Sequence, residues 1–524
     1  MKNISALSIP VIIFGVVFFG LTACQKSTPM VISALQESQI VNLKDGDTYE
    51  LTAAPVKKTI EGTEQDLIAY NGMLPGPTLR VQQGATIKVL FRNNTDMPNT
   101  IHSHGVRMDN ASDGIPDVTQ KPVAPGETFL YTLHFPDAGV FWYHPHMAEP
   151  ENQERGLFGN FIVVPTEQNK WKGTVDREIP LIFHDVLLDE DNKLASFGGK
   201  YGQFTFMGRY GNKQMINWDE NYTLQVNKGE TIRFYMTNAS NARPYNIALD
   251  SIKMKRIGGD NGAYEHETWE NNIILGPSER SIIEARFDTV GTYNIQNKIP
   301  SGSATLGKIV VTDNVGFKPR GNEKEFNILH VYDSTVTSIA PFRESFGKSP
   351  DKDITLTLQM KGVMADHMKM MDGTMNHMAG VEKDFGEKGA GIEWDVGGGM
   401  MKMMNQMSDI KNVTWQIIDT VTGHDNMMIN WNFKQGDKVK IHIFNDPKSS
   451  HPMQHPIHLH GQRFLVINTN GKKNDNLVWK DTVLVPSGES VDILVDMSNP
   501  GDWMGHCHIS AHLESGMMFN FSVQ

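Results

Sequence analysis

The sequence predicts an all-β chain of three tandem β-sandwich domains. Two repeated patterns carry that prediction. Residues 79–94 (LRVQQGATIKVLFRNN), 224–238 (LQVNKGETIRFYMTN) and 433–445 (FKQGDKVKIHIFN) each place a Gly turn between short strands in which apolar and polar residues alternate. A second block follows each of them, starting at Ala124 (APGETFLYTLHFPDAGVFWYHPH), Gly276 (GPSERSIIEARFDTVGTYNIQN) and Pro486 (PSGESVDILVDMSNPGDWMGHCH). Three copies in one order, each of ordinary domain length, predict three homologous sandwiches at 45–165, 166–316 and 325–524.

The 524-residue length is too great for one core and suits several domains. The formal charge of -12 argues against nucleic acid as a partner. Only two cysteines, Cys24 and Cys507, are present, so a disulfide framework is not expected. Residues 1–24 read as an export signal: Lys2, an apolar run from Ile9 to Leu21, then Leu21-Thr22-Ala23-Cys24. That ending resembles a bacterial lipobox, which implies lipid attachment at Cys24 and an anchor on the extracytoplasmic (periplasmic) side of the cell envelope. A cleaved signal with an incidental cysteine, or a transmembrane anchor, also fits. Residues 25–44 are polar enough for a tether.

Between the two blocks of each copy lies a third element: MPNTIHSHG at 97–105, ARPYNIALD at 242–250 and MQHPIHLHG at 453–461. Histidines occupy it in the first and last copies and recur at the end of the second block. The middle copy has Asn246, Ala248, Asn294 and Gln296 in roughly those places. A domain that folds without the histidines indicates that they serve a metal rather than the fold. Each His-x-His is expected to diverge or to sit at a strand end, which suits a site shared between metals and domains. Near the C-terminus Cys507 stands between His506 and His508, with His512 and Met517 beyond. Thiolate, imidazole and a distant thioether are blue-copper ligands.

The segments His102-Ser103-His104, His144-Pro145-His146, His455-Pro456-Ile457-His458-Leu459-His460 and His506-Cys507-His508 with His512 and Met517 resemble the ligand motifs of the multicopper oxidases, the family of laccases and bacterial cuprous oxidases. The resemblance runs through the chain from residue 45 onward in motif order, spacing and domain number. It implies three cupredoxin-like Greek-key β-sandwich domains holding four copper ions: one type 1, one type 2 and a type 3 pair. It assigns His455, Cys507, His512 and Met517 to type 1, and His102 and His458 to type 2. His104, His144, His146, His460, His506 and His508 fall to type 3. His506, Cys507 and His508 would link the electron entry site to the cluster that reduces dioxygen. Relatives carry an aspartate several residues after the first His-x-His; Asp113 fits that place, as proton supplier or as a turn residue before Gly114. Some relatives also have an acid directly after the last type 1 histidine; here that residue is Leu513, and Glu514 comes one later.

The third domain alone carries a Met-rich insertion at 360–407, holding twelve of the 29 methionines. It has almost no Leu, Ile or Phe to make a core, and thioethers select Cu(I). By analogy with the Met-rich segment of cuprous oxidases, Met360, Met364, Asp366 and Met453 are candidate ligands for a substrate copper. The relatives' acid four residues before the type 1 histidine is His451 here. The expected enzyme is an oxygen-reducing oxidase, taken as a monomer, with Cu(I) and dioxygen as substrates. A laccase-like oxidase of phenols or aromatic amines, an Fe(II) oxidase, and a non-enzymatic copper-storage lipoprotein are the alternatives.

Overall fold

The computed structural model describes residues 33–198, 203–362 and 391–524. Cys24, Met364 and Asp366 lie outside them. Six sheets pair into three sandwiches. One topology is used three times. In each sandwich, one sheet has a parallel pair between an early strand and the closing strand: Thr78–Gln82 with Gly159–Val164, Tyr222–Asn227 with Gly302–Thr312, and Asn430–Phe433 with Met518–Val523. The other sheet has a second parallel pair: Thr48–Ile60 with Thr86–Asn93, Arg177–Val186 with Glu230–Asn238, and Lys352–Met360 with Asp437–Asn445.

The repeated Gly turns have a backbone reason. Gly84, Gly229 and Gly436 have φ of 88°, 84° and 91°, the left-handed region that only glycine enters without a Cβ penalty. After the first turn, in Thr86–Asn93, the side chains of Ile87, Val89, Phe91 and Asn93 turn inward, whereas Glu230–Asn238 of the middle domain is buried along its whole length. Separate apolar cores form in the first and middle sandwiches. The core of the third includes Cys507, Met517 and Met453, and is closed at one end by Phe206, Met207 and Tyr210 of the middle domain.

The insertion of the third domain sits between two strands paired with each other, Lys352–Met360 and Val413–Asp419, with Met360 opposite Val413. The matching first-domain strands, Thr48–Ile60 and Thr63–Tyr70, are joined by Glu61-Gly62 alone. The described end of the insertion forms helix Met400–Met407. Asn405 fastens it to the middle domain, accepting from Met207 N–H at 2.9 Å and donating to Gly208 O at 2.9 Å.

Candidate metal centre

Two short antiparallel pairs bring the ligand candidates together. In the first domain His102–His104 pairs with Gly139–His144, placing His102 opposite His144 and His104 opposite Trp142. In the third, His455–Leu459 pairs with Gly501–Cys507, placing His458 opposite His506 and Ile457 opposite Cys507. The expectation that each His-x-His diverges or sits at a strand end holds in its second form: His102 and His104 are the two ends of a three-residue strand, and His144 ends Gly139–His144. Residues two apart on a strand share a face, so His102 and His104 point the same way, their rings 5.6 Å apart. The motif supplies two donors to one cavity.

The two strand pairs face each other across the first and third domains. His104 stacks on His458 at 3.7 Å between centroids, and His102 lies 4.1 Å from His460. His146, His460 and His506 form one trio, their donor atoms all within 4.8 Å of one another. A second trio is His104, His144 and His508, with His508 at 4.9 and 5.1 Å from the other two rings. His506 and His508 therefore belong to different trios, each mixing domains.

The hydrogen bonds of the cluster fit copper. His102 Nδ1 is 2.8 Å from Asp113 O, His144 Nδ1 2.9 Å from Pro145 O, His458 Nδ1 2.8 Å from Asp481 O, and His506 Nδ1 3.0 Å from Cys507 O. Each bond orients its ring. Nε2 of His102, His144, His146 and His458 is then buried without a hydrogen-bond partner. One unpaired buried polar atom costs about 1–3 kcal/mol; several converging ones are accounted for by metal coordination. His460 and His506 aim Nε2 at each other, 2.9 Å apart.

Burial, reinforced by neighbouring imidazoles, holds His104, His144, His460, His506 and His508 well below the usual histidine range. His146 is lowered to about 3 by the same causes. The rings are neutral at working pH, as donors to copper must be.

Asp113 is fully buried, with Oδ2 3.0 Å from His460 Nδ1 and Oδ1 3.2 Å from His102 Nδ1. Burial alone would raise its carboxyl; His460 and His102 more than offset that and hold it below the usual range. It also ends a short 3₁₀ turn, as its reading as a turn residue expects.

The sulfur site lies on the other side of Cys507. The Sγ atom is 3.5 Å from His455 Nδ1 and 3.8 Å from His512 Nδ1, and the Ile509 N–H points at it from 3.5 Å. Met517 is fully buried in the same core, and its carbonyl accepts from Cys507 N–H at 3.1 Å. Helix Ser510–Glu514 carries His512 back to the sulfur. Burial pushes the Cys507 thiol up and lowers His455 to about 3, so the site favours a bound cation over a free thiolate.

Of the substrate-copper candidates, Met453 is fully buried in the core that holds Cys507, and Met360 packs against that core. His451 is buried, its ring tilted against Phe206 at 4.4 Å between centroids. Four neighbours escaped the sequence reading. Trp415 walls the sulfur site, 4.4 Å from His512 and 4.6 Å from His455. Glu149 is buried with Oε1 3.7 Å from His508 Nδ1 and 4.0 Å from His144 Nδ1, and burial pushes its carboxyl up to about 8. Asp481 and Arg280 stand behind His104. Asp481 had a faint signal: it follows Trp479-Lys480 where the middle copy has Asn271 after Trp269-Glu270.

Three cupredoxin-like sandwiches, a buried sulfur-and-imidazole site in the last and an imidazole cluster shared with the first define a multi-domain copper oxidase. The sequence bears this out: two family profiles, both described as multicopper oxidase, match residues 52–168 and 400–524. The chain is 27% identical to oxidoreductase tpcJ of Aspergillus fumigatus, over 91% of this chain and 83% of that protein. It is 25% identical to the multicopper oxidase mco of Staphylococcus epidermidis, over 87% and 83%. The solved multicopper oxidase of Campylobacter jejuni, a metallo-oxidase, superposes with a TM-score of 0.66 at 22% identity, covering 94% of this chain and 98% of that one. The chain belongs to the multicopper oxidase family. It is an oxidoreductase with dioxygen as acceptor, and its cofactor is copper in type 1, 2 and 3 sites, four ions in all.

Proposed function

We propose that the protein is a cuprous oxidase that removes Cu(I) as a defence against copper. His455, Cys507 and His512, with Met517, would hold the type 1 copper. His102 and His458 would hold type 2, and His104, His144, His146, His460, His506 and His508 would hold the type 3 pair. Copper at these ligands supplies one-electron oxidation of substrate and four-electron reduction of dioxygen to two waters. The chain's own contribution is connection and positioning. Cys507 shares its backbone with His506 and His508, giving electrons a short covalent path. Asp113 stands where a proton can pass toward the cluster, its Oδ2 facing His460 and its Oδ1 facing His102.

The observation that carries Cu(I) as substrate is the position of helix Met400–Met407. Met404 packs in the core that holds Met453, Trp415 and Cys507, while Met400, Met403 and Met407 are 50%, 46% and 67% exposed on the outer side. Soft thioethers thus stand both on the surface and in the core that holds Cys507, and thioethers select Cu(I). Asp366 and Met364 of the same insertion, with Met360 and Met453, complete the candidate substrate ligands. Relatives named laccases, such as Laccase-12 of Arabidopsis thaliana at 24% identity over 94% of this chain, support phenol oxidation as the second reading.

Oxygen uptake with Cu(I), Fe(II) and a phenol, measured side by side on the intact chain and on a chain lacking 360–407, tests the choice. Cuprous oxidation should collapse in the deletion while phenol oxidation holds or rises. Unchanged cuprous oxidation with phenol oxidation still low would overturn it. The proposed place of work is the extracytoplasmic face of the envelope, through a lipid on Cys24; Cys24→Ser should abolish labelling by radioactive fatty acid and release the protein from membranes.

A further inference from the structure

His104 is turned the opposite way from its neighbours in the cluster. Where His102, His144, His458 and His506 commit Nδ1 to a carbonyl, His104 commits Nε2, which donates to Asp481 Oδ1 at 2.9 Å. Its Nδ1 is left buried without a partner. The carboxylate decides which nitrogen faces the cluster, because an ionised carboxylate can only accept and so fixes the proton on Nε2.

Asp481 is fully buried and its charge is balanced from the middle domain. Arg280 Nη1 donates to Oδ1 at 2.7 Å, and Nη2 donates to Oδ2. The same guanidinium is held by two carbonyls, Val140 O of the first domain at 3.0 Å and Ser278 O of its own domain at 2.9 Å. All three domains therefore meet on one side chain. Gly105, next to His104, has φ 81°, and a Cβ there would run into Asp481 and Arg280, so the strand end is shaped for their approach.

We propose that Arg280, from the domain without copper ligands, is a positioning residue of the trinuclear site: it fixes the Asp481 carboxylate that makes His104 an Nδ1 donor. The proposal rests on the assignment of His104 to the type 3 pair. A lysine cannot replace the two-point fork with its planar geometry.

The test uses the full-length copper-loaded protein and follows copper loss to a chelator. The near-ultraviolet band reports the type 3 pair, the type 2 component of the electron-paramagnetic spectrum reports the third cluster copper, and the blue band reports type 1. A wild-type protein that lacks the type 2 and type 3 signals overturns the ligand assignment and this proposal with it. Given those signals, Arg280→Met should release trinuclear copper about 10–100-fold faster, the usual cost of losing an outer hydrogen-bond partner. Arg280→Lys should fall between it and wild type. The blue band should bleach at the wild-type rate in both, because general destabilisation would speed both sites together. The double variant Arg280→Met/Asp481→Leu removes both buried charges and so guards against misfolding; it should keep the blue band and lose the trinuclear signals. Equal release rates at the two sites, wild-type rates, or an intact cluster in the double variant would each overturn the proposal.

Discussion

The middle and third domains share a pair of strands in the same register, and only one of them is a metal site. In the third, Ile457 pairs with Cys507 and His458 with His506; in the middle, Ile247 pairs with Asn297 and Ala248 with Gln296. Asn297 thus holds the place of Cys507, and Tyr245 that of His455. Asn297 is fully buried, accepts from Asn246 N–H at 2.9 Å and donates to Gln214 at 3.1 Å, so hydrogen bonds fill the space where the third domain gathers metal ligands. The two domains diverge further beyond the strand. After Asn297 the middle domain turns directly into Gly302–Thr312, with Ile299 opposite Gly302. After Cys507 the third leaves the sheet, forms helix Ser510–Glu514 and returns at Met518. The first domain also leaves after His144, through helix Glu149–Glu154, before Gly159. A copper site in this fold needs the excursion as much as the ligands.

Removing the thiolate breaks the comparison most completely. Cys507→Ser should abolish the blue band and drop oxygen uptake to background, because a hydroxyl gives neither the soft ligand nor the electron path; spectrum and oxygen electrode check it. The converse substitution sharpens it. Tyr245→His/Asn297→Cys should create no second blue band, since the tight hairpin has no loop to supply another imidazole and a thioether. It should also destabilise the protein by about 1–3 kcal/mol through the lost buried amide bonds, read by denaturant unfolding.

A third prediction concerns a buried histidine of the middle domain that is structural. His184 is lowered to about 3 by burial, with a smaller push from Lys58, and accepts from Trp218 N–H at 3.1 Å. Its folded value lies below the unfolded one of about 6.5. Above that pH both states are neutral, and below it the unfolded chain binds the extra proton. Stability is thus fully present above about pH 6.5 and is lost by about 1.4 kcal/mol per pH unit on acidification towards 3. His184→Gln should flatten the acid limb by that slope while copper content stays unchanged. The smallest effect is expected from Met517→Leu, which removes the thioether that would be the fourth donor to type 1 copper. The type 1 potential should rise while the blue colour persists, as redox titration would show.

The ten cluster and type 1 histidines, Cys507 and Met517 were legible because metal chemistry demands particular residue types and the middle copy shows the fold without them. The three-domain plan was legible because its Gly turns and alternation recur. Arg280 was not, since it sits in the domain that the same comparison marks as metal-free, and its contact with Asp481 depends on how three domains dock. Glu149 was hidden for a similar reason: it approaches His508 from the first domain, with nothing at Leu513 to suggest it.

The separation in sequence of His104, Arg280 and Asp481 bears on how the enzyme is made. The acceptor that orients His104 is 377 residues downstream of it. While the chain is still emerging, the first two domains can complete their own cores, yet the cluster has neither its third-domain imidazoles nor the carboxylate that sets His104. Metal capture at the oxygen site therefore waits for the last domain to close on the other two. A chain cut short before residue 481 is therefore expected to fold in part and to take up no trinuclear copper.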